Sequence, residues 1–281
     1  MALPLPVGLS PSKLERFTHC ALAFRFSYID QLPEPPSLQQ VRGTLVHRAL
    51  QLLHAVDPPA ERTPSRALAC LGEAVDELSA HPDLAGLGLD GEGRERLVRD
   101  AEVLIGRYFS LEDPTEVKPV GLELRLSAEL EQVELRGIID RLDLLPSGEL
   151  VVVDYKTGRS PSIERARARL AGVQFYAYLC EQVLSVRPVE VRLLYLRDQV
   201  VVSGRPSEQS MRGLRQRALA VWRAIERACA AEDFRPSPSS LCRWCSFQAH
   251  CPAFSGRAAA SSAGGAVVEL PTPSRRELVP A

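Results

Sequence analysis

Lysine is nearly missing from this 281-residue sequence: it stands only at Lys13, Lys118 and Lys156, and arginine carries almost all the positive charge. Arginine suits bidentate contact with phosphate, although GC-rich coding produces the same bias and is the simpler cause. An excess of either charge is also lacking. The formal net charge is −1, so no global basic field draws the chain onto nucleic acid. No run of about 18 apolar residues occurs, and no membrane-spanning helix is expected. The opening MALPLPVGLS has neither a charged n-region nor a long apolar stretch and does not read as a secretory signal. These absences predict a cytoplasmic protein whose cysteines are reduced or metal-bound. There is no internal repeat and no G-x4-G-K-[ST] phosphate loop, so any motor working with this chain must be a separate protein. What is present is ordinary for a globular chain, at 45% hydrophobic and 25% charged residues. That length and balance suit one elaborated domain, or a domain with a helical insert.

The stretch at 135–158 organises the chain. It reads LRGIIDRLDLLPSGELVVVDYKTG, two strand-like runs around a turn supplied by Pro146, Ser147 and Gly148. Each run ends near an acid, Asp140 on the first and Asp154 on the second. Lys156 follows Asp154 by two residues and so shares its face of the strand. Pairing across the turn would bring two carboxylates and one ammonium to one end of a small sheet. Two close acids are costly unless a divalent cation neutralises them. A neighbouring lysine could stabilise charge on a phosphate or help to deprotonate an attacking water. The plain alternative is a surface hairpin whose charges are solvated.

Around it the pattern is mixed. Ser10 and Pro11 start a helix carrying Leu14, Phe17, Cys20, Leu22, Phe24, Phe26 and Tyr28, which the prolines at 33–36 end. A second helix at 38–56 places Val41, Leu45, Ala49 and Leu52 on a buried face, with His47 and His54 one heptad apart. Residues 57–118 read as a helical insert, with helices at 65–80 and 93–111 about a Gly-rich loop and nothing that suggests chemistry. From Val120 the period becomes two, with Leu122, Leu124, Leu126 and Ala128 alternating against Glu123 and Arg125. Further elements are a strand at 130–144, the strand carrying DYK, a helix at 163–184, strands at 189–197 and 199–203, and an arginine-rich helix at 207–231. Residues 256–281 read as a disordered tail.

Seven cysteines occur. Cys242, Cys245 and Cys251 form CRWCSFQAHC, a C-x2-C-x5-C spacing that suits a metal but lacks a fourth ligand. Cys20 is one candidate for it and His250 another if the metal is zinc; spacing alone does not separate zinc from a [4Fe–4S] cluster. Cys70, Cys180 and Cys229 lie in apolar helical patterns and read as packing residues.

Taken in order, LSPSKLERFTHCALAFRF, RGTLVHRAL, GIIDRLD, VVDYKTG, QFYAY and CRWCSFQAHC resemble the PD-(D/E)XK nucleases of the RecB-like exonuclease family. The likeness is greatest to members with an iron–sulfur staple, such as AddB-type nuclease domains and CRISPR-associated exonucleases. It covers nearly everything from Leu9 to Phe254. The resemblance implies an α/β fold, a restriction-endonuclease-like core with a mixed sheet flanked by helices, an N-terminal helical insert and Fe–S-stapled termini. The segments would be an N-terminal helical region at 1–118, a nuclease core with the cluster segment at 119–255 forming one domain with 9–56, and the tail at 256–281. His47, Asp140, Asp154 and the carbonyl of Tyr155 would bind Mg²⁺ or Mn²⁺, and Lys156 would activate water and stabilise the transition state. Gln174 and Tyr178 would shape the site and position the strand. Cys20, Cys242, Cys245 and Cys251 would hold a [4Fe–4S] cluster clipping the N-terminal helix to the C-terminal loop. Two positions depart from the pattern: Ile139 stands where the superfamily name expects proline, as is usual in this branch, and Ala21 follows Cys20 in place of the commoner proline.

The expected activity is metal-dependent hydrolysis of DNA, single-stranded or at ends, in repair or recombination, with Mn²⁺ at least as good as Mg²⁺. Arg165, Arg167 and Arg169, and Arg212, Arg215 and Arg217, could track the phosphate backbone or simply lie on solvated faces. The rival readings are a non-catalytic DNA-end binder, a zinc-stapled structural protein, and a nuclease subunit that acts only with a separate helicase.

Overall fold

The computed structural model describes residues 2–254, without the side chains of residues 163–173. The expected tail at 256–281 and the side chains of Arg165, Arg167 and Arg169 lie outside the described residues. The chain divides into two compact units, Met1–Ser237 and Pro238–Ala281.

The first unit opens with α1 (Pro11–His19) and α2 (Ala21–Tyr28). One continuous helix was the expectation from sequence, and the structure breaks it at Cys20, whose backbone is extended (φ −161°, ψ 109°). Cys20 closes α1 by donating its N–H to the Arg16 carbonyl and opens α2 by accepting from Phe24 N–H. The bend lets Phe24 bury completely, edge-on to Phe17 at 5.2 Å. Next comes α3 (Leu38–Ala55), begun by a reciprocal Ser37–Gln40 capping box. The insert supplies α4 (Pro64–Leu78), α5 (Pro82–Gly86) and α6 (Gly91–Tyr108), with α5 inside the stretch expected to be loop.

The sheet follows as β1 (Pro119–Leu130), β2 (Val133–Leu144), β3 (Leu150–Lys156), β4 (Glu190–Tyr195) and β5 (Val200–Gly204), with α7 (Ile163–Leu184) between β3 and β4 and α8 (Glu208–Ala231) last. The five strands lie in chain order. All pairs are antiparallel except β3 with β4, because a parallel pair needs a crossover and α7 provides it. Strand alternation divides β3 between two layers. Val151, Val153 and Tyr155 pack into one core with α3, α4 and α6. Val152, Asp154 and Lys156 point to the other face, where α7 lies against the sheet and α8 against α7. In the second unit, residues 238–254 make two short 3₁₀ turns, Ser240–Trp244 and Gln248–His250.

A buried arginine fixes the insert to the sheet. Arg141 is 0% exposed, and Asp143, on the same face of β2, accepts from its Nε at 2.9 Å and its Nη2 at 3.0 Å. Glu112, just beyond α6, accepts from Nη2 at 2.9 Å. The Nη1 group donates to Tyr155 Oη and to His54 Nε2, each at 2.7 Å. Because arginine can only donate, Nε2 of His54 is the acceptor and the ring is neutral. Burial first, then the charges of Arg141 and Arg62, push the His54 pKa down to about 2. Tyr108 completes the cluster by donating to Glu112 Oε1 at 2.7 Å. The heptad spacing of the two histidines therefore has a structural meaning: one stripe of α3 sends His54 into this network and His47 toward the sheet end.

Removing one member of such a network leaves the others buried and uncompensated. Arg141→Ala is expected to lower unfolding free energy in urea by about 3–5 kcal/mol. A loss below about 1 kcal/mol would show that the network does not hold the insert on the sheet.

Candidate functional site

The β2–β3 ladder ends at Arg141–Val153. Continuing that register sets Asp140 opposite Asp154, just where the two strands part. The Tyr155 N–H, left without a β2 carbonyl, donates instead to Asp140 Oδ2 at 2.7 Å. On α3, His47 brings Nδ1 to 3.4 Å from the same oxygen, and its ring lies edge-on to Tyr155. Lys156 Nζ meets Asp154 Oδ2 at 2.5 Å. His47, Asp140, Asp154 and Lys156, expected together from the sequence, do converge.

β1 adds an acid that in the sequence belongs merely to the alternating pattern. Leu122 pairs with Arg141 and Leu124 with Ile139, and between them Glu123 adopts φ +46°. A left-handed glutamate inside a strand carries a backbone cost of about 1–3 kcal/mol. This conformation accompanies a carboxylate oxygen that lies, with one ligand atom each from His47 and Asp140, in a group within 4.8 Å of one another. The strand alternation conceals Glu123, but its position could have been found by register. The turn at Glu131 and Gln132 closes on Leu130–Val133, and counting back from there sets Glu123 opposite Asp140.

Among the described residues, burial and mutual repulsion act on the acids of this site. Asp154 is 6% exposed, and burial first, then the charge of Asp140, raises its pKa against the pull of Lys156 and His47. Glu123 is likewise raised by burial and by Asp140. Burial works against a charged His47, yet its bond to Asp140 and the charges of Asp140 and Asp154 prevail and raise its pKa. Burial also opposes the Lys156 ammonium, and Asp154 reverses that and holds the amine charged. The carboxylates of Glu123 and Asp140 and the imidazole of His47 come together, with Asp154 nearby, and suit a hard divalent cation that accepts mixed oxygen and nitrogen donors.

Of the two tyrosines in QFYAY, the one facing the acids is Tyr176. Burial first, then Asp154, Asp140 and Glu123, raise its pKa, so the hydroxyl stays protonated. Gly137 makes room for it: a Cβ there would lie 3.0 Å from the Tyr176 ring and 2.8 Å from Leu179. Gln174 and Tyr178 share the opposite stripe of α7. Gln174 Oε1 accepts from Ser210 Oγ of α8 at 3.0 Å, and the charged groups acting on Tyr178 are Arg215 and Glu181. The structure does not bring this pair to the acids. Arg212, Arg215 and Arg217 are exposed on α8.

All seven cysteines are free thiols, and Cys70, Cys180 and Cys229 are buried, as packing residues should be. In the first unit Cys20 Sγ accepts from Ser237 N–H at 3.5 Å. In the second, Cys242 Sγ accepts from Ser239 N–H at 3.2 Å, and Cys245 and Cys251 are half-buried.

The chain is similar to two streptococcal proteins, each named as a subunit of an ATP-dependent helicase/deoxyribonuclease. That of Streptococcus equi subsp. zooepidemicus is 29% identical over 163 residues, 54% of this chain and 14% of the relative. That of Streptococcus mutans is 29% identical over 161 residues, 55% and 14% respectively. The chain thus matches about a seventh of the length of these relatives. A crystal structure from Eubacterium rectale, described as a candidate exonuclease, superposes with a TM-score of 0.58 at 12% identity, covering 95% of this chain and 91% of that one. That likeness concerns the fold. The sequence model of the PD-(D/E)XK nuclease superfamily matches residues 8–252. With the sheet, the DYK strand and the acid cluster in place, this chain belongs to the PD-(D/E)XK nuclease superfamily.

Proposed function

We propose that this chain is a metal-dependent deoxyribonuclease that hydrolyses phosphodiester bonds of single-stranded DNA or DNA ends, as a RecB-like exonuclease. The observation that carries the reading is the convergence of His47, Glu123 and Asp140 beside the Asp154–Lys156 pair. His47, Glu123, Asp140 and Asp154, joined by the Tyr155 carbonyl as the family resemblance implies, would hold Mg²⁺ or Mn²⁺. Such an ion lowers the pKa of bound water and offsets charge on the phosphate.

The remaining work falls to the chain itself. Tyr155 N–H and His47 orient the Asp140 carboxylate. Lys156, held charged by Asp154, is a donor for the attacking water or for a phosphate oxygen as charge builds on it. Tyr176 remains a protonated donor at neutral pH. Water oxygen bonds to phosphorus and gives up one proton, the bond to the leaving sugar oxygen breaks, and that oxygen takes up a proton, so none is gained or lost overall. Gln174 and Tyr178, with Arg212 and Arg215, would guide the strand along the α7–α8 side, and Arg165 and Arg169 are retained from sequence as further contacts. Cys20, Cys242, Cys245 and Cys251 would hold a [4Fe–4S] cluster. The support for it is the spacing, the free thiols, and the backbone N–H groups donated to Cys20 and Cys242, an environment that also suits cluster sulfurs. The relatives' names, which join a helicase to a deoxyribonuclease, favour a second setting in which the chain works with a separate helicase; repair or recombination is the pathway that the family resemblance implies.

The test is digestion of end-labelled linear single-stranded DNA with Mn²⁺, alongside a closed circular strand. Wild type should degrade the linear strand and spare the circle. Lys156→Ala, compared at equal iron and acid-labile sulfide, should lose at least about 100-fold in rate. If both proteins bind DNA and neither cuts, the chain is an end binder; absence of iron and sulfide from anaerobically prepared protein would remove the cluster.

Glu123→Asn separates site from scaffold, because asparagine tolerates the left-handed backbone better than glutamate. The variant should melt no lower than wild type while cleaving about 100-fold more slowly. Unchanged cleavage would take Glu123 out of the ion site.

A further inference from the structure

Between α3, α6 and the β4–β5 turn lies an open cleft of about 260 Å³, lined by Arg42, Arg107, Arg197, Asp100 and Thr157 among others. We propose that this cleft binds a phosphate group of the DNA strand next to the one being cut, a contact made outside the acid cluster. The inference rests on reading the chain as one that acts on a DNA strand.

Charge is the first argument. Three guanidinium groups share this cleft with one carboxylate, and that carboxylate, Asp100, is 56% exposed. Arg42 Nη1 stands 3.6 Å from Asp100 Oδ2, too far for a hydrogen bond. Its Nε is buried, with no hydrogen-bond partner among the described residues. Arg107 is held differently: Nη1 donates to the Arg197 carbonyl at 2.5 Å, which fixes the fork and leaves its other donors for a ligand. The Arg197 side chain is exposed at the turn. Like charges gathered with uncommitted donors call for an anion, and planar guanidinium groups match the oxygens of phosphate.

Position is the second argument. Thr157 directly follows Lys156, the last residue of β3, and Arg42 precedes His47 by five residues on α3. The two elements run close together here, since a Cβ on Gly43 would sit 3.4 Å from Thr157 Oγ1. The same two elements therefore carry both the acid cluster and the cleft, which makes the cleft an adjoining stop for a strand lying across the sheet end. The other wall is α6, so the helical insert would contribute directly to the substrate surface.

Binding of an internally labelled oligonucleotide, followed by anisotropy in EDTA, tests this without catalysis. Arg107→Gln and Arg197→Gln should each weaken binding roughly tenfold and reduce the magnitude of the slope of log K against log salt by about 0.7. Asp100→Asn should act in the opposite direction and tighten binding. Strands with a 5′-phosphate, a 3′-phosphate or hydroxyl ends, and a closed circle, identify the source of the phosphate. An effect confined to one phosphorylated end assigns a terminal phosphate, and an equal effect on the circle assigns an internal phosphodiester; both support the cleft. Wild-type affinity and salt slope in both arginine variants would overturn it. If wild type fails to cut DNA with Mn²⁺ while the arginine variants still bind poorly, the nuclease reading falls and the cleft stands.

Discussion

The β2–β3 ladder closes at Arg141–Val153, and the arrangement of the site depends on its stopping there. Had it run two residues further, the Tyr155 N–H would have been taken by a β2 carbonyl and Asp140 would have had no backbone anchor. Instead that N–H holds the Asp140 carboxylate, and the diverging strands leave space for His47 and Glu123 to reach it. On the opposite face, Arg141 binds both the Tyr155 hydroxyl and the acids Asp143 and Glu112. Adjacent residues on each strand thus serve opposite purposes. Asp140 and Asp154 form the site, and Arg141 and Tyr155 lock the register that places it.

The cost of this arrangement falls within the site itself. Asp154 is buried near a second acid, Glu123 holds a left-handed backbone in mid-strand, and the Lys156 ammonium pairs with Asp154. Proteins accumulate strain and like charge where binding offsets them. A divalent ion held by these acids would offset their like charge. Stability comes from the other layer, where α3, α4, α6 and three residues of β3 share one apolar core. The insert, silent in sequence, is part of that core and supplies Glu112 to the arginine network.

The strongest sequence features were those governed by local chemistry. Leu150–Val153 is a short apolar, β-branched run, Pro146–Gly148 turns the chain, and an acid stands near the end of each run, so the hairpin and its paired acids were legible. His47 came from family resemblance, since nothing in a helical histidine alone points to a sheet end. Glu123 was hidden because its role depends on cross-strand register and an irregular φ, and alternation reports neither. On α7, the i, i+4 spacing of Gln174 and Tyr178 correctly put them on one stripe. It could not say which stripe faces the acids, and Tyr176 occupies that one. The break at Cys20 was equally obscure, since Ala21 carries no helix-starting signal and Phe24 burial, a tertiary effect, favours the bend.

The central claim is that these acids are held together for a divalent cation, and thermal unfolding with and without Mn²⁺ tests it most directly. Saturating Mn²⁺ at about 100 times its dissociation constant should stabilise wild type by about 2.7 kcal/mol, seen as a rise in Tm. The Asp140→Asn, Asp154→Asn double variant should show little or no rise above its own metal-free Tm. An unmoved wild-type Tm, or an equal rise in the double variant, would contradict the account.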